Sequence, residues 1–199
     1  MTNSFWNERY SENEFVYGES PNLFFAETIA QLQPGIIILP CDGEGRNAVH
    51  AARNGWDVKA FDLSEAAKLK AEHLALKYAV IIDYQVLDAA LASYPDGSAE
   101  VVGLIYTHLP PSIRLVLHAN IIKWLKPGGK LILETFCPNQ LKNSSGGPKD
   151  VEMLYNKELL QSDFKNLSID YLEYAQIKLN EGKFHQGAAD VIRMIATKK

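Results

Sequence analysis

The sequence predicts one α/β domain: a mostly parallel, seven-stranded sheet with an antiparallel strand in a C-terminal hairpin. Three observations lead there. Residues 35–62 read as strand, glycine turn, helix, strand and terminal acid, which is half of a nucleotide-binding α/β unit. Five strand runs separated by helices follow the pattern of a parallel sheet. The tail then alternates apolar and polar residues over 167–179 and 184–196, joined by Asn180-Glu181-Gly182-Lys183, a hairpin signal.

The elements can be justified in order. The first 19 residues mix polar and aromatic side chains, with Trp6, Arg9 and Tyr10 at helical spacing, as in an amphipathic stub docked on the domain. Ser20-Pro21 reads as an N-cap and first helical residue. The helix it opens carries Leu23, Phe24, Ile29 and Leu32 towards a core and ends near Pro34-Gly35. Ile36-Ile37-Ile38-Leu39 is a buried strand, Gly43-Glu44-Gly45 a tight turn, and residues 47–52 a helix that stops at Gly55. A strand from Trp56 to Phe61 ends on Asp62, and Ser64 caps a helix to about Lys77. Val80 to Leu87 is a third strand, followed by Asp88. Ser98 to Tyr106 is a fourth, with Thr107-His108 at its end. Pro110-Pro111-Ser112 start a helix through Trp124, Lys126-Pro127-Gly128-Gly129 turns into a fifth strand over 130–136, and Asn156 to Phe164 forms a short helix.

Bulk properties narrow the functions. With 20 basic and 24 acidic residues the formal charge is −4, and no basic block offers a phosphate-binding stripe, which argues against a nucleic-acid partner. A mean hydropathy of −0.14 suits a soluble globule. Cys41 and Cys137 are too few for a disulfide framework or a zinc site, and no metal is expected. The polar start is no signal peptide and no apolar run approaches the ~20 residues of a membrane span, so the expected compartment is the cytoplasm. The chain is expected to work as a monomer or homodimer on a small molecule, as a single domain over residues 1–199.

The glycine turn carries the chemistry. Gly43 and Gly45 allow turn geometry and close approach of a ligand, and the helix start behind them favours an anionic group. Asp62, 19 residues beyond Gly43, stands where a carboxylate can accept both hydroxyls of a ribose.

This layout resembles the class I S-adenosylmethionine (SAM) methyltransferases over nearly the whole chain, and implies their Rossmann-like fold. In that family the glycine loop underlies the methionine moiety, the acid ending the second strand holds the ribose, and one ending the third faces the adenine. Asp62 and Asp88 match those positions, and the resemblance puts Leu63 and Ala89, beside them, at the cofactor. The segments WNERY, VYG, SPN, GEGRNA, HLPP, WLKPGG, GGPKD and MLY are similar to TehB-type (tellurite resistance) methyltransferases. Leu39-Pro40 ahead of the glycines is similar to thiopurine and halide/thiol methyltransferases. By that similarity Trp6 and Tyr17 close over cofactor and substrate, with residues 1–19 as a lid, and the Cys41 backbone contacts SAM. The pattern departs from the family at Leu39, where an acid is usual, and at Cys41, where a glycine is. Asp42, shifted into the loop, either contacts the SAM ammonium or braces the turn.

For the transfer itself, His108 at the fourth strand's tip is the candidate base, or else ties down the Leu109-Pro110-Pro111 turn. Tyr106 lines the adenine or methyl pocket, or belongs to the core. His185, in the hairpin after Gly182, is a second candidate that reaches over the pocket, or rather a solvated loop residue, and Gly146-Gly147-Pro148 is either a frame for the substrate mouth or a plain loop. The resulting expectation is methyl transfer from SAM to a soft nucleophile: a thiol, a halide, or a tellurium or selenium oxyanion. Two alternatives stay open. Gly43-x-Gly45-x-x-Ala48 with Asp62 also satisfies the fingerprint of an NAD(P)-dependent oxidoreductase. A non-catalytic domain that binds SAM or its product is the other. Neither a GxSxG nucleophile turn nor a phosphate loop occurs.

Overall fold

The computed structural model describes residues 3–199; the notional lid's Met1 and Thr2 lie outside the described residues. Seven strands form one sheet in the order β3-β2-β1-β4-β5-β7-β6. They are β1 (Ile36–Pro40), β2 (Asp57–Asp62), β3 (Asp83–Val86), β4 (Ala99–Ile105), β5 (Leu125–Phe136), β6 (Leu167–Asn180) and β7 (Gln186–Lys198). Pairing is parallel from β3 through β5, and β7 runs antiparallel between β5 and β6. Among the described residues six α-helices accompany them: α1 (Asn3–Tyr10), α2 (Leu23–Ile29), α3 (Arg46–Arg53), α4 (Glu65–Lys77), α5 (Pro111–Trp124) and α6 (Lys157–Asp163).

Both faces of the sheet are covered. Phe25, Ile37, Leu39, Ala51, Trp56 and Val101 pack on the side of α2 and α3. Ile38, Val102, Leu117, Ile121, Trp124 and Leu133 pack on the side of α5. Continuous apolar strands such as Ile37-Ile38-Leu39 are what burial on two faces requires.

Three local expectations are corrected. The helix after the N-terminal segment starts at Leu23, and its cap is Asn22, not Ser20: the Asn22 side chain accepts from the Phe25 N–H. The third strand is only Asp83–Val86, because just one of its four side chains, Tyr84, is buried. The Lys126–Gly129 turn does not precede the fifth strand but lies within it, opposite a register shift between Ala99 and Val101 of β4.

The topology fixes where a ligand can bind. Strand order reverses between β1 and β4, and in open α/β sheets the crevice beyond the carboxyl ends at such a reversal is the ligand site. Cys41 and Tyr106, directly after those two strands, both hold left-handed backbone, with φ of 54° and 51°. Left-handed backbone at residues other than glycine stores strain, and such residues cluster at functional sites.

Candidate active site

A cavity of about 530 Å³ opens at this edge. Its floor is the loop after β1. Gly43 has φ +59°, and its N–H donates to Asp62 Oδ2 at 3.1 Å. A Cβ there would meet the Tyr10 hydroxyl at 2.8 Å, so the loop needs glycine for space as well as for φ. Asp62 Oδ1 accepts from the Ser64 N–H at 3.0 Å. Backbone N–H groups thus hold both oxygens of this carboxylate, and of its roughly four acceptor sites some capacity remains for a ligand hydroxyl. Burial pushes the Asp62 carboxyl up to about 6, against the backbone hydrogen bonds that lower it.

Asp42 lies beside it. Its Oδ1 accepts from Asn47 Nδ2 and its Oδ2 from the Ala48 N–H, both at 3.1 Å. These bonds brace the first turn of α3, the bracing alternative from the sequence. Burial dominates here too and raises the carboxyl to about 7. Asp88 caps its own turn through the Ala90 N–H at 2.8 Å and lines the cavity with Leu87 and Ala89.

The N-terminal segment forms the roof. Trp6 stacks on Tyr10, ring centroids 5.5 Å apart, and Asn7 Oδ1 accepts from Ser64 Oγ at 2.7 Å. The buried Glu44 carboxylate, in the middle of the glycine turn, accepts the N–H groups of Val16 and Tyr17, both at 3.2 Å. Lys70 Nζ reaches the same carboxylate at 2.8 Å. The amphipathic spacing of Trp6, Arg9 and Tyr10 is therefore that of a helix docked over the loop.

Of the residues singled out in the sequence, Trp6, Tyr17, Cys41, Asp42, Gly43, Asp62, Leu63, Asp88, Ala89, Tyr106 and His108 all line the cavity. Gly45 does not. Its φ is +82°, and a Cβ would lie 2.5 Å from Ala71 Cβ, so it lets α3 pack on α4. Gly147 and Pro148 join the rim; Gly146 backs the His185 ring instead.

The two histidines are held differently. His108 Nδ1 lies 2.7 Å from the Met153 carbonyl, and Nε2 takes the Thr135 hydroxyl at 3.0 Å. Both nitrogens are engaged, which fits the role of tying down the turn, and burial lowers its pKa to about 4. His185 is not a solvated loop residue: it is 5% exposed and lines the cavity. Its ring packs edge-on against Tyr17, Tyr106 and Phe136.

Tyr106 donates its hydroxyl to buried Glu134 Oε1 at 2.8 Å. Sequence reasoning missed Glu134 and likewise Glu44, Arg46 and Glu181. Only Glu44 gave a signal, a charged residue between the two turn glycines. Among the described residues no group of His, Cys, Asp or Glu converges as metal ligands would, and no helix is long and apolar enough to cross a membrane.

Residues 39–129, from the end of β1 into β5, match a family described as a methyltransferase domain. Thiopurine S-methyltransferase of Legionella pneumophila (strain Philadelphia 1) is 27% identical over 188 residues, covering 79% of this chain and 84% of that protein. Phosphoethanolamine N-methyltransferase 1 of Zea mays is 26% identical over 162 residues, which are 80% of this chain but 30% of the maize protein. The chain thus spans under a third of the length of that relative. Among solved structures, TehB from Haemophilus influenzae superposes with a TM-score of 0.72 at 14% identity, covering 99% of this chain and 67% of TehB. A SAM-dependent methyltransferase from Methanosarcina mazei gives 0.72 at 20% identity, covering 90% and 98%.

Proposed function

We propose that this chain, a class I SAM-dependent methyltransferase, methylates a small soft nucleophile. The observation that carries the reading is a cavity at the β1/β4 reversal that joins a ribose-type carboxylate to an aromatic wall under a docked helix. The donor set fits SAM: Asp62 keeps acceptor capacity for a ligand hydroxyl, and Gly43 leaves room for close backbone approach. Bound there, SAM supplies an electrophilic methyl group on a sulfonium.

The chain's residues do the rest by position. Asp62 would hold the ribose, and Asp88 with Ala89 would flank the base. Tyr106, Phe136 and Tyr17 present ring surface to the acceptor side, and α1 keeps water out. In-line displacement gains much of its rate from aligning two partners, so a rigid wall is the main catalytic device. A cavity that also houses SAM leaves room for a small acceptor, and the thiopurine S-methyltransferase likeness favours sulfur among soft nucleophiles.

Isothermal titration with S-adenosylhomocysteine (SAH), with NADH as the control, tests the cofactor. Micromolar binding of SAH alone is expected; binding of NADH alone would reinstate the oxidoreductase. Formation of SAH with a panel of thiols, halides and oxyanions tests the acceptor. SAH binding without turnover on any of them would leave a binding domain.

A further inference from the structure

The hairpin that ends the sheet carries a second titratable pair into the cavity wall. Glu181 and His185 lie four residues apart across the β6–β7 turn, with Glu181 Oε2 3.2 Å from His185 Nδ1. A carboxylate only accepts, so Nδ1 holds the proton and Nε2 keeps its lone pair. Among the described residues the ring's one side-chain hydrogen bond is that of Nδ1; the ring lines the cavity, with Gly146 against its Nε2 edge. Arg46 Nη2 fixes the same Glu181 oxygen at 2.9 Å. Arg46 opens α3 directly behind the glycine loop, so the pair is tied to the cofactor side. Edge-on contacts at 4.6 Å to Tyr17 and 4.7 Å to Tyr106 set the plane of the ring.

We propose that His185, oriented by Glu181, is the proton acceptor of the transfer, and that the methyl acceptor is a thiol that enters protonated. This rests on the methyltransferase reading above and narrows its substrate class, since a halide has no proton to give. As the thiol attacks, its S–H bond breaks towards Nε2, and the freed pair forms the new S–C bond. The old bond's electrons stay on the departing thioether. The imidazolium so formed keeps its Nδ1–H on Glu181, then releases its proton to solvent.

The groups facing His185 are Glu181 on its own hairpin, Arg46 of α3, Arg9 of α1, Tyr17, Tyr106 and His108. Burial lowers its pKa first, Glu181 opposes that, and the two arginines add to the lowering. The ring is neutral and ready to accept at physiological pH.

The test has two arms. Nitrogen-15 NMR of the SAH-bound full chain should show His185 neutral with its proton on Nδ1. Its titration should move further down in Glu181→Gln. A proton on Nε2, or a titration indifferent to Glu181→Gln, overturns the proposal whatever the acceptor is. The second arm measures SAH formation with 2-mercaptoethanol and with thiophenol, which is already largely anionic near neutral pH. His185→Gln should slow the alkyl thiol ~100-fold, the ordinary value of general-base help, and the thiophenol at least about tenfold less than that. Equal losses on both thiols, or none, would overturn the base. A wild-type protein that binds SAH and methylates neither overturns the thiol assignment, and failure to bind SAH sinks the methyltransferase reading itself. Unchanged SAH affinity in each variant separates these outcomes from misfolding.

Discussion

Glu134→Gln is a demanding test of how the site is held. Glu134 is 1% exposed and receives three donors. Asn22 Nδ2 at 2.6 Å and the Tyr106 hydroxyl at 2.8 Å share Oε1, and Arg193 Nε donates to Oε2 at 2.5 Å. A glutamine of the same shape has one acceptor oxygen. Placed towards Asn22 and Tyr106, it turns its NH₂ on the Arg193 donor; flipped, it turns the NH₂ on the other two. Removing one partner of a buried ion pair costs roughly 3–5 kcal/mol when the other charge is left sealed in. The Arg193 side chain is 23% exposed, so water recovers part of that and about 2–3 kcal/mol is expected. For a chain of this size that lowers Tm by roughly 4–12 °C, measurable by calorimetry. Arg193→Met removes the donor that clashes, so the double variant should recover at least about 1 kcal/mol of the summed single losses. A Glu134→Gln shift below about 2 °C, or additivity within ~0.5 kcal/mol, would refute this account.

Three further outcomes are expected. Ribose hydroxyls need an ionised Asp62, whose carboxyl sits at about 6, so SAH affinity should fall by up to about tenfold per unit as pH drops below that value. Asp62→Asn should weaken binding ~100-fold at pH 8, given roughly 1.5–3 kcal/mol for each hydrogen bond to a charge, and flatten the fall between pH 6 and 5. Titration calorimetry across pH decides it: an undiminished fall in the variant assigns the proton elsewhere. Gly45→Ala forces a Cβ to within 2.5 Å of Ala71 Cβ at φ +82°, and should cost ~3 kcal/mol and roughly 6–12 °C of Tm. Deleting residues 1–19 strips the buried Tyr10 and Val16 from the loop and should weaken SAH binding at least about tenfold and slow turnover. Affinity and turnover both untouched would remove the lid.

The parts of the site that were legible in the sequence are those built by neighbours along the chain. The run Ile36–Leu39, the two glycines and Asp62 lie within one β-α-β unit, where apolar period, φ demand and spacing all act locally. Parallel pairing then places Asp62 and Asp88 on one edge without further information. The N-terminus of α2 was misplaced for a reason of the same kind. Ser20-Pro21 has good local chemistry, but Asn22 caps Phe25 while its N–H and its Nδ2 are taken by Asn47 and Glu134, 25 and 112 residues away. Tertiary bonds outvoted a local preference.

The histidines show the same limit at the level of function. His108 was a candidate base because it stands at a strand tip, while the Leu109-Pro110-Pro111 turn beside it offered the other role. Its engagement comes from Thr135 and Met153, which no local pattern announces. His185 looked solvated because it follows a polar turn, yet that turn folds back on the N-terminal segment: a Cβ on Gly182 would touch the Gly18 nitrogen at 2.6 Å. The N-terminal segment and the β6–β7 hairpin tip meet over the glycine loop, and that closure puts the imidazole against Tyr17 and Tyr106. A carboxylate and a histidine four residues apart are unremarkable in a loop. They become an oriented proton acceptor only when the sheet edge, the lid and the start of α3 share one wall.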